Sequence, residues 1–260
     1  MLDKPRTFSD GLCREPTPAI RLPKRQRARG SSSRSRTRWY VAALFVALAV
    51  VVGGAYLLGS NGSKTQPPKP VILYVNQGNG AVNGSNFEEL VSFAVSHQFN
   101  TLFFQVYRSG TLLFDSQQLE VFVNDSHSAG LRIFFALYIT NSSQTLPSSI
   151  FSLGEDGISL DMSALEIGAQ QTLLSNLMTY YHGTSAVTTS DMTSPLKPDL
   201  LVLETYGAID QQYIRPGVIG SVEVVATANE QDYNTQFLYA LQHSDGVMVF
   251  DYAGLMKSGY

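Results

Sequence analysis

Thr101-Leu-Phe-Phe-Gln-Val-Tyr107 is the stretch that decides the fold class of this chain, together with the similar run Arg132-Ile-Phe-Phe-Ala-Leu-Tyr-Ile-Thr140. Both runs are almost continuously apolar, whereas a strand with one face in water alternates apolar and polar residues. Continuous runs are typical of strands that helices cover on both faces, as in a parallel sheet. The two runs therefore predict an α/β fold.

Apolar runs of this kind alternate with helical patterns from Val71 to the C-terminus. We expect seven strands, at residues 71–75, 101–107, 132–140, 158–161, 199–205, 218–227 and 246–251. Apolar residues at helical spacing predict helices at residues 87–99, 117–129, 164–181 and 232–242. Gly130 is placed to end the second helix, and Ser163 with Glu166 forms the Ser-x-x-Glu pattern of a capping box at the third.

Repeated strand–helix units imply a parallel sheet with right-handed crossovers. The length of this region fits a (β/α)8 barrel of the TIM type. An eighth strand is expected in residues 206–217, or else the barrel is incomplete. A doubly wound open sheet is the alternative, since it is built from the same units.

Residues 39–59 form a separate part of the chain, because these 21 residues carry no charge. As a helix they would rise about 30 Å, which is the thickness of the hydrocarbon core of a bilayer. Trp39, Tyr40 and Tyr56 lie near the two ends, where aromatic rings favour the level of the headgroups. A cleaved signal peptide is the alternative, but its apolar core is shorter and rarely follows a long basic tail. We expect a retained transmembrane helix that binds membrane lipid.

Charge on the two sides of this segment predicts its orientation. Residues 1–38 hold eleven Lys and Arg against three Asp and Glu, a net charge of +8, whereas residues 60–260 hold seven against eighteen, a net charge of −11. Basic residues beside a membrane span stay in the cytoplasm. We therefore expect a single-pass protein of the cell membrane, with a disordered cytoplasmic tail at 1–38, a linker at 60–70 and an extracellular barrel at 71–260. Membrane topology accounts for the basic tail, so no nucleic-acid partner is expected.

Candidate site residues follow from the barrel, because the chemistry of a parallel barrel lies at the C-terminal ends of its strands. Three carboxylates lie at these ends and are the candidate catalytic residues: Asp161, Glu204 and Asp251. Amide, aromatic and basic side chains at the same ends are the candidate substrate-binding residues: Asn76, Gln105, Tyr107, Arg108, Tyr138, Tyr206 and Tyr252. Paired carboxylates suit glycoside cleavage, in which one protonates the leaving oxygen and the other supports the oxocarbenium-like transition state.

The alternatives for Asp161 and Glu204 are structural. Asp161 could cap the helix that follows it, but the Ser163–Glu166 capping box leaves it available for another role. Glu204 follows Leu-Leu-Val-Leu, and a carboxylate buried at a strand end is costly unless it is paired or functional. Arg108 is the natural ion-pair partner for either acid. Asp161 and Glu204 end successive predicted strands, so we expect their side chains to converge at one mouth of the barrel.

Metal and cofactor sites are not expected. None of the strand ends carries a histidine, and the four histidines of the chain lie far apart in the sequence, at positions 97, 127, 182 and 243. Asn76-Gln-Gly-Asn-Gly80 lacks the spacing of a dinucleotide-binding loop. The chain is therefore expected to use neither a metal nor a cofactor.

Three stretches resemble glycoside-hydrolase-type TIM barrels. Residues 100–116 resemble the second strand and loop of those proteins, Asp156-Gly-Ile-Ser-Leu-Asp161 is similar to their fourth strand, and residues 246–254 resemble their last strand. The chain departs from the family pattern at Tyr107, where an arginine is usual and Arg108 comes one place later. Another departure is Met162-Ser163, which stands where aromatic or basic residues are usual.

Two functions from different classes follow. The first is a membrane-anchored glycoside hydrolase that cleaves envelope or extracellular polysaccharide, with Asp161 and Glu204 as its carboxylate pair. The alternative is a catalytically inactive barrel that serves as a cell-surface module for binding glycan or protein. Acids that face an open cavity favour the first, and acids held in salt bridges favour the second.

Overall fold

The computed structural model describes residues 68–77, 82–204, 211–224 and 230–258, all within one unit that spans Pro67–Tyr260. The predicted tail, the predicted membrane-spanning segment at 39–59 and most of the predicted linker lie outside these ranges. None of the helices in the described ranges is long and apolar enough to span a bilayer.

Nine strands form a single sheet. They are β1 (Val71–Val75), β2 (Thr101–Arg108), β3 (Thr111–Leu112), β4 (Arg132–Tyr138), β5 (Gly157–Asp161), β6 (Thr184–Thr189), β7 (Leu200–Leu203), β8 (Ile219–Glu223) and β9 (Gly246–Phe250). Eight of them are parallel, and the sheet closes because β1 pairs with both β2 and β9. The short β3 pairs antiparallel with the end of β2. The expected TIM-type barrel is confirmed, and closure rules out the open doubly wound sheet.

Within the described residues, five α-helices accompany the strands: α1 (Phe87–Ser96), α2 (Ser116–Ser128), α3 (Ile167–Tyr180), α4 (Glu230–His243) and α5 (Tyr252–Ser258). The β4–β5 and β6–β7 connections are fully described, and neither contains an α-helix. A single 3-10 turn, Ser148–Ile150, lies in the first of them. All eight barrel strands are therefore present, whereas these two connections lack a helix.

The eighth barrel strand is β6, so its expected place in residues 206–217 was wrong. The described part of 206–217 contains only the 3-10 turn Gln211–Tyr213. Strand β6 has the sequence Thr-Ser-Ala-Val-Thr-Thr. This sequence contains too many polar residues to be predicted as a strand from continuous apolar runs. Threonine nevertheless fits strands because its β-carbon is branched, and the small side chains of β6 occupy the crowded interior of the barrel.

The four predicted helices correspond to α1 to α4, but α1 ends three residues earlier and α3 begins three residues later than predicted, and α5 was not predicted. Gly130 follows the C-cap of α2 with a φ of +80°, which glycine adopts readily, so the predicted end of that helix is confirmed. The predicted capping box at the start of α3 is wrong. Glu166 is itself the N-cap residue and makes no side-chain capping bond, and Ser163 donates a hydrogen bond to Asp161 instead.

The core has an inner and an outer layer. The inner layer fills the barrel with Ile72, Tyr74, Phe103, Phe134, Ala136, Ala186, Val202, Ile219 and Met248. The aromatic members come from β1, β2 and β4, while β5 and β6 contribute small residues. Phe103 and Phe134 stack at 5.0 Å. A Cβ atom on Gly157 would lie 2.2 Å from the ring of Phe134, so the absence of a side chain there makes room for that ring.

The base of the barrel, where the parallel strands begin, is fastened by a repeated hydrogen bond. Directly before every second barrel strand stands an Asn or Asp. Its side chain accepts a hydrogen bond from a backbone N–H at or near the start of the preceding barrel strand. The four bonds run from Val71 to Asn100 (2.9 Å), Ile133 to Asp156 (2.7 Å), Ser185 to Asp199 (2.8 Å) and Gly217 to Asp245 (3.0 Å). Lys69 also donates here, to the carbonyls of Leu241 and Ser244 at the end of α4. The polypeptide therefore enters the barrel at its base.

Candidate functional site

A cavity of about 150 Å³ lies at the opposite end of the barrel, where the parallel strands end. Its lining is Tyr74, Asn76, Gln105, Arg108, Tyr138, Asp161, Ser163, Glu204 and Phe250. Six of these nine were candidates from the sequence, including two of the three carboxylates. The ends of β1, β2, β4 and β5, together with the residue after β7, therefore bring polar side chains to one place.

Asp161 is the last residue of β5, and its side chain is 5% exposed. The hydroxyl of Tyr74 donates to its Oδ2 at 2.9 Å, and the hydroxyl of Ser163 donates to its Oδ1 at 3.1 Å. Burial raises the pKa of Asp161, and these two hydrogen bonds partly oppose the rise because they stabilise the anion. Asp161 is thus held in one orientation and binds a proton more readily than an ordinary aspartate.

Tyr74 lies on the inner face of β1, below the cavity. Burial raises the pKa of Tyr74 well above its ordinary value, and the nearby charges of Asp161 and Glu204 raise it further. Its hydroxyl therefore stays protonated and serves as a donor. The ring lies 5.0 Å from that of Phe250, which closes the same side of the cavity.

Glu204 directly follows β7 and is 4% exposed. Its backbone N–H donates to the carbonyl of Thr189 at 2.9 Å, which fixes the chain against the end of β6. Asp161 and Glu204 do not end successive strands, because β6 lies between β5 and β7. Two strand spacings separate their backbones by roughly 10 Å. Their side chains line the same cavity.

A β-bulge in β2 decides which of its residues reach the cavity. The pairing with β4 skips Val106, so Gln105 and Arg108 both face inward although they are three residues apart. Gln105 accepts the backbone N–H of Gln77 at 2.9 Å. The guanidinium of Arg108 lies 5.7 Å from the ring centre of Tyr138 at the rim. No ion pair joins Arg108 to either acid within the described part of the chain.

Three other candidates lie away from the cavity. The bulge turns Tyr107 outward, where it packs in the outer core and donates to the carbonyl of Thr145 at 3.1 Å. Tyr252 packs edge-on against Phe93 in the same layer. Asp251 accepts the backbone N–H of Gly254 at 2.8 Å and so begins α5. These contacts account for the burial of all three side chains. The remaining candidate, Tyr206, lies outside the described residues.

Some residues at this end of the barrel were not anticipated from the sequence. Tyr74 and Phe250 belong to predicted strands, and a period-two count back from Asn76 would have placed Tyr74 on the inner face. Ser163 had been assigned to a capping box. Glu223 ends β8 opposite Phe250, on the face that carries Ser221, and adds a half-buried carboxylate at this end. The predicted strand ran past it to residue 227, which hid its position.

Within the described ranges, no cluster of three or more His, Cys, Asp or Glu residues is placed to hold a metal ion.

Known structures similar to this fold are glycoside hydrolases. A GH113 β-mannanase from Alicyclobacillus acidocaldarius matches with a TM-score of 0.49 and 8% identity, over 70% of this chain and 86% of that chain. An O-GlcNAc hydrolase from Thermobaculum terrenum matches with a TM-score of 0.48 and 10% identity, over 70% of this chain and 54% of that chain. A second GH113 β-1,4-mannanase matches with a TM-score of 0.49 and 10% identity, over 71% of this chain and 88% of that chain.

No protein-family model and no curated protein matches the sequence. The chain spans about half the length of the O-GlcNAc hydrolase. The fold of this chain rests on its own strand order and on the closure of the sheet through β1.

Proposed function

We propose that this chain is a glycoside hydrolase that uses Asp161 and Glu204 as its carboxylate pair. The observation that carries the proposal is the presence of two buried carboxylates in one cavity at the C-terminal mouth of a parallel barrel. Burying one carboxylate is costly, and burying two of them together is costlier unless they are hydrogen-bonded, ion-paired or act on a ligand. Arg108 forms no ion pair with either acid in the described region.

Asp161 is assigned as the general acid. Burial raises the pKa of Asp161, which is the direction that a general acid donating to the glycosidic oxygen requires. Tyr74 and Ser163 contact the two oxygens of its carboxyl group and limit its rotation. Glu204 is assigned as the second carboxylate, which stabilises positive charge on the sugar ring or activates water. A carboxyl separation of about 5–5.5 Å corresponds to retention of configuration, and about 6.5–9.5 Å to inversion.

The rest of the lining suits a sugar. Asn76 and Gln105 present amide groups that can bind hydroxyls through paired donors and acceptors. Tyr138 offers a ring at the rim, and aromatic faces pack well against the C–H faces of sugars. Arg108, stacked on that ring, adds hydrogen-bond donors. The substrate class we propose is a polysaccharide of the cell envelope or the surroundings.

The proposal extends to location. The uncharged segment 39–59 and the change of net charge across it support a single-pass membrane anchor with the barrel outside the cell. Lys69 and Pro70 lead into the base of the barrel, at the end opposite the cavity.

The test compares three amide variants of the full-length protein on a panel of polysaccharides. Asp161→Asn and Glu204→Gln should each reduce release of sugar by at least a hundredfold while leaving the unfolding midpoint within a few degrees of the wild type. Asp251→Asn is the matched control, since it changes a carboxylate at the same end of the barrel and asparagine still caps α5. Equal loss in all three variants, or none in the first two, would contradict the assignment.

One observation favours the alternative, a barrel that binds glycan or protein without cleaving it. Asp161 already accepts two hydrogen bonds from its own chain, as a structural carboxylate does. In that case the wild-type protein would retain a glycan without releasing any product. Asp161→Asn would leave that binding largely unchanged, because the amide oxygen accepts one of the two bonds and the other hydroxyl can accept a hydrogen bond from the amide N–H.

A further inference from the structure

Two hydroxyl groups lie inside the barrel below Asp161. Ser159 on β5 and Thr188 on β6 are both 0% exposed. Neither Ser159 Oγ nor Thr188 Oγ1 has a hydrogen-bond partner among the described residues. A buried hydroxyl without a partner loses its hydration and gains nothing in return, so such groups are few in folded proteins. Two of them in one barrel interior require an explanation.

The strand register places both hydroxyls beside Asp161. Thr188 is the residue directly opposite Asp161 in the β5–β6 pairing, at a strand spacing of about 4.8 Å. Ser159 lies two residues before Asp161 on β5 and therefore points to the same face, roughly 6.6 Å away along the strand. Ala186, which pairs with Ser159, belongs to the inner layer of the core. Ser159, Thr188 and Asp161 thus form three corners of one patch on the inner wall.

Below this patch the interior is apolar. The stacked rings of Phe103 and Phe134 fill the lower part, and the ring of Phe134 lies over Gly157 at the start of β5. Ala186 contributes only a methyl group beside Ser159. The polar patch is therefore bordered by a small side chain and closed from beneath by aromatic rings.

We propose that Ser159, Thr188 and Asp161 together bind one ordered water molecule, and that Ser159 and Thr188 act through it as positioning residues for Asp161. A buried water typically makes about three hydrogen bonds to polar groups that lack other partners, and the patch offers three. Tyr74 and Ser163 contact Asp161 directly, and the water supplies a further donor from below. The water site stands on the geometry alone, whereas its value for catalysis rests on the proposed function.

The water has a defined effect on Asp161. A donor to the carboxylate stabilises the anion, so the water opposes part of the rise in pKa that burial causes. The other titratable or charged groups that face Asp161 across the cavity are Tyr74, Arg108, Tyr138 and Glu204. Removing either hydroxyl changes none of these groups, so a shift in the titration of Asp161 would report the loss of the water.

The first test measures urea unfolding of the full-length protein. Thr188→Val and Ser159→Ala should each raise the unfolding equilibrium constant about tenfold or more, because removal of one ligand weakens the water's hold on the other two groups. Ser126→Ala is the matched control, since Ser126 Oγ on α2 is also buried without a partner in the described region and lies outside the barrel. The control should be neutral or stabilising. If all three variants are neutral or stabilising, the hydroxyls are simply unpartnered and the proposal is wrong.

The second test follows the titration of Asp161 by NMR of the full-length protein labelled with ¹³C at aspartate carboxyl carbons, with Asp161→Asn identifying the signal. Thr188→Val should move the titration midpoint upward, and Thr188→Ser, which keeps the hydroxyl, should restore it. Ser126→Ala should leave it in place. An unchanged midpoint in Thr188→Val would overturn the proposal. Neither test requires cleavage of a glycan, so an inactive protein that passes both would refute the hydrolase assignment and retain the water site.

Discussion

Replacement of Gly157 by alanine tests the packing on which the position of Asp161 depends. Gly157 begins β5, which carries Asp161 at its other end, and it pairs with Phe134 on one side and Thr184 on the other. An added Cβ would lie 2.2 Å from Cε1 of Phe134 and 2.6 Å from the carbonyl oxygen of Thr184. Ordinary carbon contacts are about 3.5–4.0 Å, so the overlap with the ring exceeds roughly 1 Å.

Neither neighbour can move freely. The ring of Phe134 is stacked on Phe103 inside a closed barrel, and the carbonyl of Thr184 is part of the backbone. Overpacking of a core commonly costs about 1–3 kcal/mol, and contact with backbone places this substitution at or above the upper end. We therefore expect Gly157→Ala to reduce the free energy of unfolding by about 3 kcal/mol or more.

Urea unfolding of the full-length protein measures this loss, with the midpoint and the slope fitted separately. Gly168→Ala is the matched control, because nothing lies within 4 Å of the Cβ position of this residue in α3. It should stabilise by about 0.5–1 kcal/mol, since alanine favours the helix over glycine. If Gly157→Ala matched the control or the wild type, the pairing of β4, β5 and β6 described above would be incorrect.

Four further substitutions have expected outcomes. Because burial raises the pKa of Asp161 in the folded state, the folded protein keeps the proton of this residue to a higher pH than the unfolded chain does. The free energy of unfolding should therefore fall as pH rises from about 4, the ordinary pKa, through the raised pKa. In Asp161→Asn, this fall should be absent when unfolding is measured against pH. Asp156→Ala should reduce the free energy of unfolding, measured by urea titration, by about 1–3 kcal/mol, because the N–H of Ile133 loses its acceptor. His127→Ala should reduce it by less, because the contact between His127 and Asp156 is partly exposed. Lys69→Met should cost about 1 kcal/mol and speed limited proteolysis before β1, since Lys69 holds the end of α4.

The sequence predicted the parallel barrel because its strands are mostly unbroken apolar runs, but β6 did not fit that criterion. Ala186, which faces the barrel interior from β6, packs in the same layer as bulky aromatic rings from other strands. Small residues therefore fit at the inward-facing positions of this strand. Which positions need small residues depends on neighbours that are distant in the chain. The local pattern could not supply that information.

The candidate site was predictable where alternation along a strand is regular. Asp161 and Glu204 reach the cavity because each lies where a regular strand ends. Tyr107 was misplaced because the bulge at Val106 reverses the alternation, and nothing in the local sequence marks that extra residue. The predicted adjacency of the two acids was wrong for a related reason, since the unrecognised β6 lies between their strands.

The four hydrogen bonds at the base divide the barrel into four two-stranded units, each joined by an Asn or Asp that directly precedes its second strand. Closure is thus reinforced at the end that carries no catalytic candidates. Loops at the other end can lengthen, shorten or exchange residues without disturbing these bonds. Substitutions at the mouth can therefore be selected with little effect on closure of the sheet. We expect relatives of this barrel to differ most in their strand-to-helix loops and to keep a polar residue before every second strand.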